Sequence, residues 1–543
     1  MTVLRAAWLA SAAFAAATAP AFADDASVEK RLDDMERMIE RQQQQIESQR
    51  REIGSLRKAL AHHENPAPVA NVAAAPVLVP STAGRVSEQQ AQVEARIEKL
   101  EADDNTARLA KQEAPTWSLA GGRPTVTSAD GRFSASIRVL GQFDVGYYMQ
   151  GKHAMQLALA NGPDLSSGSN FRRAQLGVQG TVFGDWSYYF NYEFGSGISS
   201  GNELAGRIQQ AYIEYDGLAP WGVRIGAYPP AAGLEDSTAS SDTIFLERNS
   251  PADIVRNLAG GDGRDAIGLT YATDRLFGSA ALTGGKTADS SLFFDEQQAA
   301  VARLSGTVYS DPDSRVLLSA TGTDVFRAPD ATAGAGSVRN ITLQDPPELN
   351  VDDQSNKLVS TGAINAESVF AWGIEGAAQW RNFFGQAGYF GYGMDQRTAN
   401  KPELNFNGWY AQATWVVTGE SKGYSTSNGA FTPPKPRTPF SFEGGGAGAI
   451  ELAARYSDLD LNDHAGTLGQ PIPANGVRGG EQQIFTFALN WYPVSALKFG
   501  LQFQNVHIDR IGTIPAGFGH GTLNNASVGQ VFDTVALRSQ ISL

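Results

Sequence analysis

The amino-acid sequence predicts an all-β protein, an antiparallel transmembrane β-barrel of about 16 strands behind an N-terminal α-helical coiled coil. Three features predict this fold. From residue 133 onward, apolar and polar residues alternate with a period of two. Several of these segments run about ten residues or longer, which is the length that a tilted barrel strand needs to cross a bilayer. Between residues 28 and 60, apolar residues instead follow a heptad repeat, which is typical of a coiled coil.

The composition agrees with a barrel and argues against several other classes of protein. The 543 residues include 58 Gly, and only 18% of them are charged, as in barrels that have an apolar lipid face and a polar lumen. The net charge of -14 argues against nucleic acid as a partner. The chain has no Cys, which excludes disulfides, Cys-ligated metals and thiol catalysis.

Residues 1–23 are predicted to be a secretory signal peptide. Arg5 supplies a positive charge, residues 6–19 form a short apolar core, and Ala21-Phe22-Ala23 is an A-x-A cleavage site. The mature chain is therefore expected to begin at Asp24. No later run of about 18 apolar residues predicts a transmembrane helix.

Residues 24–64 are predicted to form a coiled coil, because the heptads continue for longer than the roughly three to four that define one. The core positions are Val28, Leu32, Met35, Ile39, Gln42, Ile46, Gln49, Ile53, Leu56 and Leu60. A Pro/Ala-rich linker is expected at 65–84 and a short second coiled-coil helix at 85–114. The barrel is then expected to occupy residues 115–543.

Strand-like segments begin near sixteen positions: Phe133, Phe171, Trp186, Arg207, Trp221, Arg264, Ser279, Gln298, Arg315, Phe370, Phe384, Trp409, Ala447, Gln482, Ala496 and Val531. Tight and long connections alternate between these segments. If both termini of the barrel are periplasmic, the long connections are extracellular. The exception is Thr418 to Gly446, which is expected to fold partly into the lumen. An interfacial girdle at strand ends is expected from Trp186, Trp221, Trp409 and Trp491.

The longest informative connection runs from Tyr228 to Gly263. Its Phe245 and Val255 favour burial, while Arg248 and Arg256 need polar partners. A loop of this length inside a compact domain is functional or disordered, and this composition is not that of a disordered segment. We expect the loop to fold into the lumen and narrow a pore. The alternative is a surface loop over a small satellite core.

Basic residues collect at positions whose parity points into the lumen. They are Arg138, Arg173, Arg224, Arg264, Arg455, Lys498 and Arg538, and the long loop adds Arg248 and Arg256. Rings of Arg and Lys favour anions in a pore. For each basic residue, the alternative to solute contact is an ion pair that only stabilises the barrel wall. The available partners are Asp144, Glu193, Glu214, Glu247, Asp265 and Glu451.

Catalytic chemistry has little support in the sequence. The six His residues lack metal-ligand spacing, and no nucleophile motif accompanies them. We therefore expect no enzyme activity, no cofactor and no metal site.

Several motifs resemble the phosphate-selective porin O and P family. They are Phe171-Arg172-Arg173-Ala174-Gln175-Leu176-Gly177, Gln210-Ala211-Tyr212-Ile213-Glu214-Tyr215, Phe245-Leu246-Glu247-Arg248, Gly448-Ala449-Ile450-Glu451-Leu452, Leu489-Asn490-Trp491-Tyr492-Pro493 and Leu537-Arg538-Ser539-Gln540. The resemblance implies a trimeric outer-membrane channel with an arginine ladder and an inward-folded third loop. It adds Arg172 to the ladder, so that the expected anion-contacting residues are Arg172, Arg173, Arg224, Arg248, Arg256 and Arg264.

The third loop departs from the family pattern at one important position. The family places a lysine of its central anion site where this chain has Pro229. The barrel segment also carries more acidic than basic side chains. We therefore expect a weak anion preference without a tight phosphate site.

Together these features predict a porin for passive diffusion of small solutes such as phosphate or polyphosphate. It would be a homotrimer in the lipid of a Gram-negative outer membrane, with its coiled coil in the periplasm. The main alternative is an envelope tether, in which the coiled coil binds a periplasmic partner or the cell wall and the barrel is an anchor. An outer-membrane enzyme and a trimeric adhesin are further alternatives.

Overall fold

The computed structural model describes residues 51, 55, 58, 83–119, 122–151, 164–195, 206–287, 295–332, 334, 337–352, 356–398, 401–514 and 521–543. The chain divides into two units, residues 1–114 and 115–543. The predicted signal peptide and all heptad core positions of the first coiled coil lie outside the described residues.

In the first unit, helix α1 spans Ala83–Glu113, where the sequence predicts the second helix. Val93, Ile97 and Leu100 are half-buried between exposed neighbours and form one stripe at heptad spacing. The pairing of this stripe in a coiled coil stays a prediction. None of the helices in the described part of the chain is both long and apolar enough to cross a membrane.

The described residues of the second unit form the helices α2 (Leu234–Ser237) and α3 (Ser250–Ala259) and 25 strands. The strands are β1 (Thr116–Ser118), β2 (Thr125–Thr127), β3 (Ser134–Gln150), β4 (Gly168–Val182), β5 (Trp186–Glu193), β6 (Arg207–Leu218), β7 (Trp221–Ala227), β8 (Arg264–Ala272), β9 (Leu276–Lys286), β10 (Gln298–Ser310), β11 (Ser314–Arg327), β12 (Asn340–Ile341), β13 (Gln344–Asp345), β14 (Val359–Ser360), β15 (Ile364–Trp380), β16 (Phe383–Gln396), β17 (Leu404–Val416), β18 (Lys422–Ser425), β19 (Ala430–Pro434), β20 (Ala449–Asp463), β21 (Val477–Tyr492), β22 (Leu497–Asp509), β23 (Ile511–Ile514), β24 (Leu523–Ser527) and β25 (Gln530–Ser542).

Sixteen of these strands form one closed antiparallel wall: β3–β11, β15–β17, β20–β22 and β25. The last strand pairs with the first, with Arg538 opposite Asp144, so the sheet has no free edge. The sixteen predicted strands are confirmed. β15 begins at Ile364 rather than near Phe370. The strand continues beyond the apolar band of the outer face, and its outward residues there, such as Asn365 and Glu367, are polar, so the alternating pattern did not indicate them.

Side chains alternate across the wall as the sequence predicts. Gln142 and Asp144 of β3 are fully buried in the interior, while Phe143, Val145 and Tyr147 are exposed on the outer face. An apolar outer face is what lipid contact requires.

Aromatic residues on neighbouring strands form a girdle at the end of the barrel that has the tight turns. The ring pairs are Trp186–Tyr215, Trp221–Tyr271, Phe383–Trp415 and Trp491–Phe499, with centroids 4.8–6.0 Å apart. The placement of Trp409 at a strand end is wrong. β17 begins earlier, at Leu404, so Trp409 lies within the strand and contacts Tyr456.

Among the described residues, three connections fold into the barrel. In residues 228–263, the carbonyl of Ile244 accepts a hydrogen bond from inward-facing Asn490, which confirms the predicted insertion. In the connection between β17 and β20, the carbonyl of Gly429 accepts from inward-facing Arg303, as expected for Thr418 to Gly446. The described part of the connection between β11 and β15 also folds inward, which the sequence analysis did not predict.

The inserted connections form an apolar core against one side of the wall. Buried Val255 of the first connection and Leu349 of the β11–β15 connection belong to one cluster with Phe390, Ile484 and Val506 of the wall. This core follows the inner face of β10–β25 and reaches Tyr148 of β3.

Glu348 joins two inserted connections to the wall. Its carboxylate accepts hydrogen bonds from Arg455 at 2.5 Å, from the backbone N–H of Ser250 at 2.8 Å and from the Ser457 hydroxyl at 2.6 Å. The Arg455 and Glu348 side chains are both 0% exposed. Arg455 compensates the buried charge of Glu348, and Glu348 is the nearer of two carboxylates at Arg455, the other being Glu235 at 3.7 Å.

We predict that Glu348→Ala destabilises the barrel by about 3–5 kcal/mol, because the buried Arg455 loses its short ion pair and keeps only the longer one to Glu235 at 3.7 Å. Guanidinium titration in detergent micelles, followed by tryptophan fluorescence, measures this change. The matched control is Glu367→Ala, which removes a 57% exposed carboxylate and is expected to cost less than about 1 kcal/mol. Equal effects of the two substitutions would contradict the bracing role of Glu348.

Candidate functional site

Two cavities lie beside the inserted segment 228–263. The outer cavity, of about 380 Å³, is lined on its charged side by Arg172, Arg173, Arg207, Arg248, Arg256, Lys286, Lys357, Glu193, Glu247, Asp253, Asp262, Asp345 and Glu348. The inner cavity, of about 240 Å³, has Arg138, Arg224, Arg248, Arg256, Asp236 and Asp262 as its charged lining residues. Arg248, Arg256 and Asp262 line both cavities, so the two spaces adjoin at this loop.

A β-bulge brings both Arg172 and Arg173 to the outer cavity. Gln142 of β3 pairs with Arg173, and Phe143 pairs with Phe171, so that Arg172 has no partner across the strands. An extra residue in one strand changes which side chains face inward. Without the bulge, strict alternation would place Arg172 and Arg173 on opposite faces of the wall.

The two bulge arginines have different partners. Arg172 binds Glu247 through two hydrogen bonds of 2.6 and 2.9 Å, whereas Arg173 donates to the amide oxygen of Gln142 at 2.7 Å. Burial alone would raise the pKa of Glu247, but Arg172 and Arg538 hold this pKa well below its ordinary value. Glu247 is therefore a carboxylate. It pairs directly with Arg172, whereas it attracts Arg173 only from beyond ion-pair distance.

The loop itself positions Arg248 and Arg256. Asn249 caps helix α3 by accepting the N–H of Ala252, and Arg256 lies in the last turn of that helix. Arg256 binds Asp236 and Asp262, each at 2.7 Å. Burial would raise the pKa of Asp262, yet Arg256 lowers it well below its ordinary value. These contacts fix the charged groups where the two cavities adjoin.

Arg248 differs from Arg256 because its partners are neutral. It donates to the backbone carbonyls of Glu235 at 3.3 Å and Thr238 at 3.0 Å. In the described part of the chain it has no carboxylate within ion-pair distance. Its positive charge is therefore not neutralised by a direct partner.

In the inner cavity, Arg224 donates to Glu214 at 3.0 and 2.6 Å. Its guanidinium group also lies 4.4 Å from the ring centre of Tyr212 and 5.2 Å from that of Tyr228. The neighbouring Arg138 donates to Gln179 at 3.0 Å. Arg224 is thus held between a carboxylate and two aromatic rings.

Arg264 is placed differently from the other five candidate residues. It is 5% exposed, and it donates to the carbonyls of Gly260 at 3.1 Å and Gly284 at 2.9 Å. It is not among the described residues that line the two cavities. Its geometry favours bracing the end of the inserted loop.

The inward basic residues of the opposite wall hold the loop. Arg538 binds Asp144 at 2.6 Å and the carbonyl of Leu246 at 2.6 Å, and Lys498 donates to the carbonyl of Thr243 at 2.6 Å. Three of the carboxylates expected to pair with arginine have other partners. Glu451 binds Lys422, and Glu193 accepts hydrogen bonds from Gln175 and from backbone N–H groups. Asp265 faces outward and accepts a hydrogen bond from Thr287.

Sequence reasoning missed three basic residues of the outer cavity, which are Arg207, Lys286 and Lys357. Lys286 is the last residue of β9 and lies opposite Arg264 of β8. Its place opposite a residue that was expected to face the lumen was the available signal. Lys357 lies in the connection between β11 and β15, whose inward fold no local pattern indicates. Pro229, which replaces the lysine of the family pattern, lines the inner cavity.

Residues 155–523 match the family described as phosphate-selective porin O and P. An uncharacterized protein of Caulobacter vibrioides is 26% identical over 404 residues, which are 72% of this chain and 71% of that protein. Porin O of Pseudomonas aeruginosa is 24% identical over 351 residues, which are 63% of this chain and 77% of that protein.

Two solved structures are similar at lower identity. The anion-selective porin of Comamonas acidovorans is 10% identical with a TM-score of 0.42, and the match covers 75% of this chain and 100% of that one. The outer-membrane channel DcaP of Acinetobacter baumannii is 12% identical with a TM-score of 0.40, covering 79% and 100%. Because the family match spans more than half of the sequence, the chain belongs to the phosphate-selective porin O and P family and is an outer-membrane β-barrel channel.

Proposed function

We propose that the protein mediates passive diffusion of small solutes with a weak preference for anions. The solute path runs through the outer and inner cavities, between the inserted loop and the wall of β3–β10. On this path solutes contact Arg172, Arg173, Arg224, Arg248 and Arg256, while Arg264 braces the loop. Anions such as phosphate or polyphosphate, which the family name suggests, are candidate solutes.

The charges of Arg173 and Arg248 carry this proposal, because neither has a carboxylate within ion-pair distance in the described part of the chain. Both are largely buried, and both have only neutral hydrogen-bond partners. A charge in a low-dielectric space attracts a counter-ion more strongly than the same charge in bulk water. A guanidinium group also binds oxyanions through its planar fork.

Acidic side chains keep the preference weak. The outer cavity is lined by seven basic and six acidic side chains, and the inner cavity by four basic and two acidic ones. The excess of positive charge is therefore small at each level. Pro229 removes the further positive charge that the family pattern supplies, so a tight phosphate site is not expected.

We also infer that three copies associate, with the coiled coil on the periplasmic side. The heptad repeat of residues 24–64 supports this inference, because a helical bundle below the barrel would share the symmetry of the barrel assembly. The resemblance of the motifs to a trimeric channel family supports it too.

We predict that Arg173→Gln combined with Arg248→Gln shifts the reversal potential in a KCl gradient toward cation preference. Both substitutions remove a positive charge from the path and keep a hydrogen-bonding side chain. The matched control is Arg381→Gln, which removes a charge of the same sign from a side chain that is 63% exposed. An unchanged reversal potential in the double variant would overturn the arginine-lined path.

A second variant tests why phosphate binding is weak. Pro229→Lys is expected to lower the phosphate concentration that blocks the chloride current by about tenfold, because one charge-assisted contact contributes about 1.5–3 kcal/mol. Pro439→Lys, at an exposed position of the β17–β20 connection, adds the same charge away from both cavities and serves as the control. Equal phosphate block in the parent protein and in Pro229→Lys would show that this position does not set the affinity.

A further inference from the structure

The inner cavity contains a stack of aromatic and basic side chains that a path for small inorganic anions does not need. The guanidinium group of Arg138 lies 5.4 Å from the ring centre of Tyr189. Tyr189 stacks on Tyr212, with centroids 5.4 Å apart and planes inclined by 7°. Arg224 covers Tyr212, and Tyr228 meets Tyr212 edge-on at 5.8 Å. We call these five residues the tyrosine–arginine column.

The phenol groups of the column are free to bind a solute. Among the residues that the structure describes, the hydroxyls of Tyr189, Tyr212 and Tyr228 have no hydrogen-bond partner, and all three residues line the cavity. By contrast, the adjacent Tyr188 donates to the carbonyl of Ser134 at 3.1 Å. Tyr228 is buried, while Tyr189 and Tyr212 are half-buried at the cavity, so the three hydroxyls are available for hydrogen bonds to a polar ligand.

The remaining wall of the cavity is partly apolar. Pro229, Pro230, Phe277 and Val301 contribute to its lining. A hydrated inorganic anion gains nothing from such surfaces, whereas the carbon skeleton of a ring gains free energy when it leaves water. The volume of 240 Å³ is below the roughly 300–1,000 Å³ of sites for drug-sized ligands, which suits a solute with a single ring.

The charges divide the site into two parts. Glu214 neutralises Arg224, so the part of the column formed by Arg224, Tyr212 and Tyr228 supplies ring surface and hydrogen bonds rather than net charge. Arg248, which lines both cavities, has only carbonyl partners and keeps its charge for the solute. An anionic group at Arg248 would place an attached ring in the inner cavity.

We propose that this site binds an organic anion with one ring, whose phosphate or carboxylate group is held by Arg248 and whose ring lies against the tyrosine–arginine column. This inference rests on the proposed anion preference and narrows the solute class. Sugar phosphates and aromatic carboxylates share the required chemistry, because both combine an anionic group with a ring that can stack or accept hydrogen bonds.

The test is block of the chloride current through the full-length protein in planar bilayers. The probes are 4-hydroxybenzoate, glucose 6-phosphate and inorganic phosphate. At least one of the two ring anions is expected to block at a concentration several-fold below that of phosphate. Tyr189→Phe combined with Tyr212→Phe, which keeps the rings and removes two hydroxyls, should weaken that block about threefold to tenfold relative to phosphate block. Tyr188→Phe is the matched control.

The outcomes separate this inference from the proposed function. Block by 4-hydroxybenzoate supports an aromatic carboxylate as the solute, and block by glucose 6-phosphate supports a sugar phosphate. If neither ring anion blocks better than phosphate, or if the double variant behaves like Tyr188→Phe, the inference is overturned. The reversal potential in a KCl gradient, measured on the same channels, reports the anion preference independently.

Discussion

The structure depends on one constraint, which is that the backbone of the inserted loop must find hydrogen-bond partners inside the barrel. A buried carbonyl without a partner costs free energy comparable to a lost hydrogen bond. Carbonyls of residues 243, 244, 246 and 247 receive such bonds from the wall. The donors are Lys498, Asn490, Arg538 and Arg455. All four lie at inward positions of β20–β25, so the backbone of residues 243–247 is fixed to that side of the lumen.

This constraint divides the basic residues of the lumen into two groups. On β20–β25 they are committed to loop carbonyls and to buried carboxylates such as Asp144 and Glu348. On β3–β10, Arg138 and Arg173 face the open cavities with amide partners only. Arg264 and Arg303 of β3–β10 also brace inserted connections, so both roles occur on this wall, whereas bracing prevails on β20–β25. The acidic net charge of the chain is compatible with an anion preference because it does not determine the local charge of this path.

The alternation of apolar and polar residues was sufficient to predict the sixteen strands, since a wall between lipid and lumen imposes a period of two. It was not sufficient for the candidate site, because β-bulges interrupt the period, among them those at Arg172 and Gln209. Only the family resemblance indicated that Arg172 belongs with Arg173. The inward position of the β11–β15 connection depends on Glu348 meeting Arg455, which is 107 residues away, and no local pattern reports such a contact.

The most direct test of the solute path uses the natural absence of cysteine. Gln210→Cys places one thiol in the inner cavity, and Thr486→Cys places one on the wall of β21, where the parent side chain is fully buried. In single channels, a negatively charged thiol reagent is expected to reduce the current of Gln210→Cys rapidly, and faster than a positively charged reagent of equal size. Thr486→Cys should remain unmodified. Rapid modification at residue 486 with none at residue 210 would contradict a path between the loop and the wall of β3–β10.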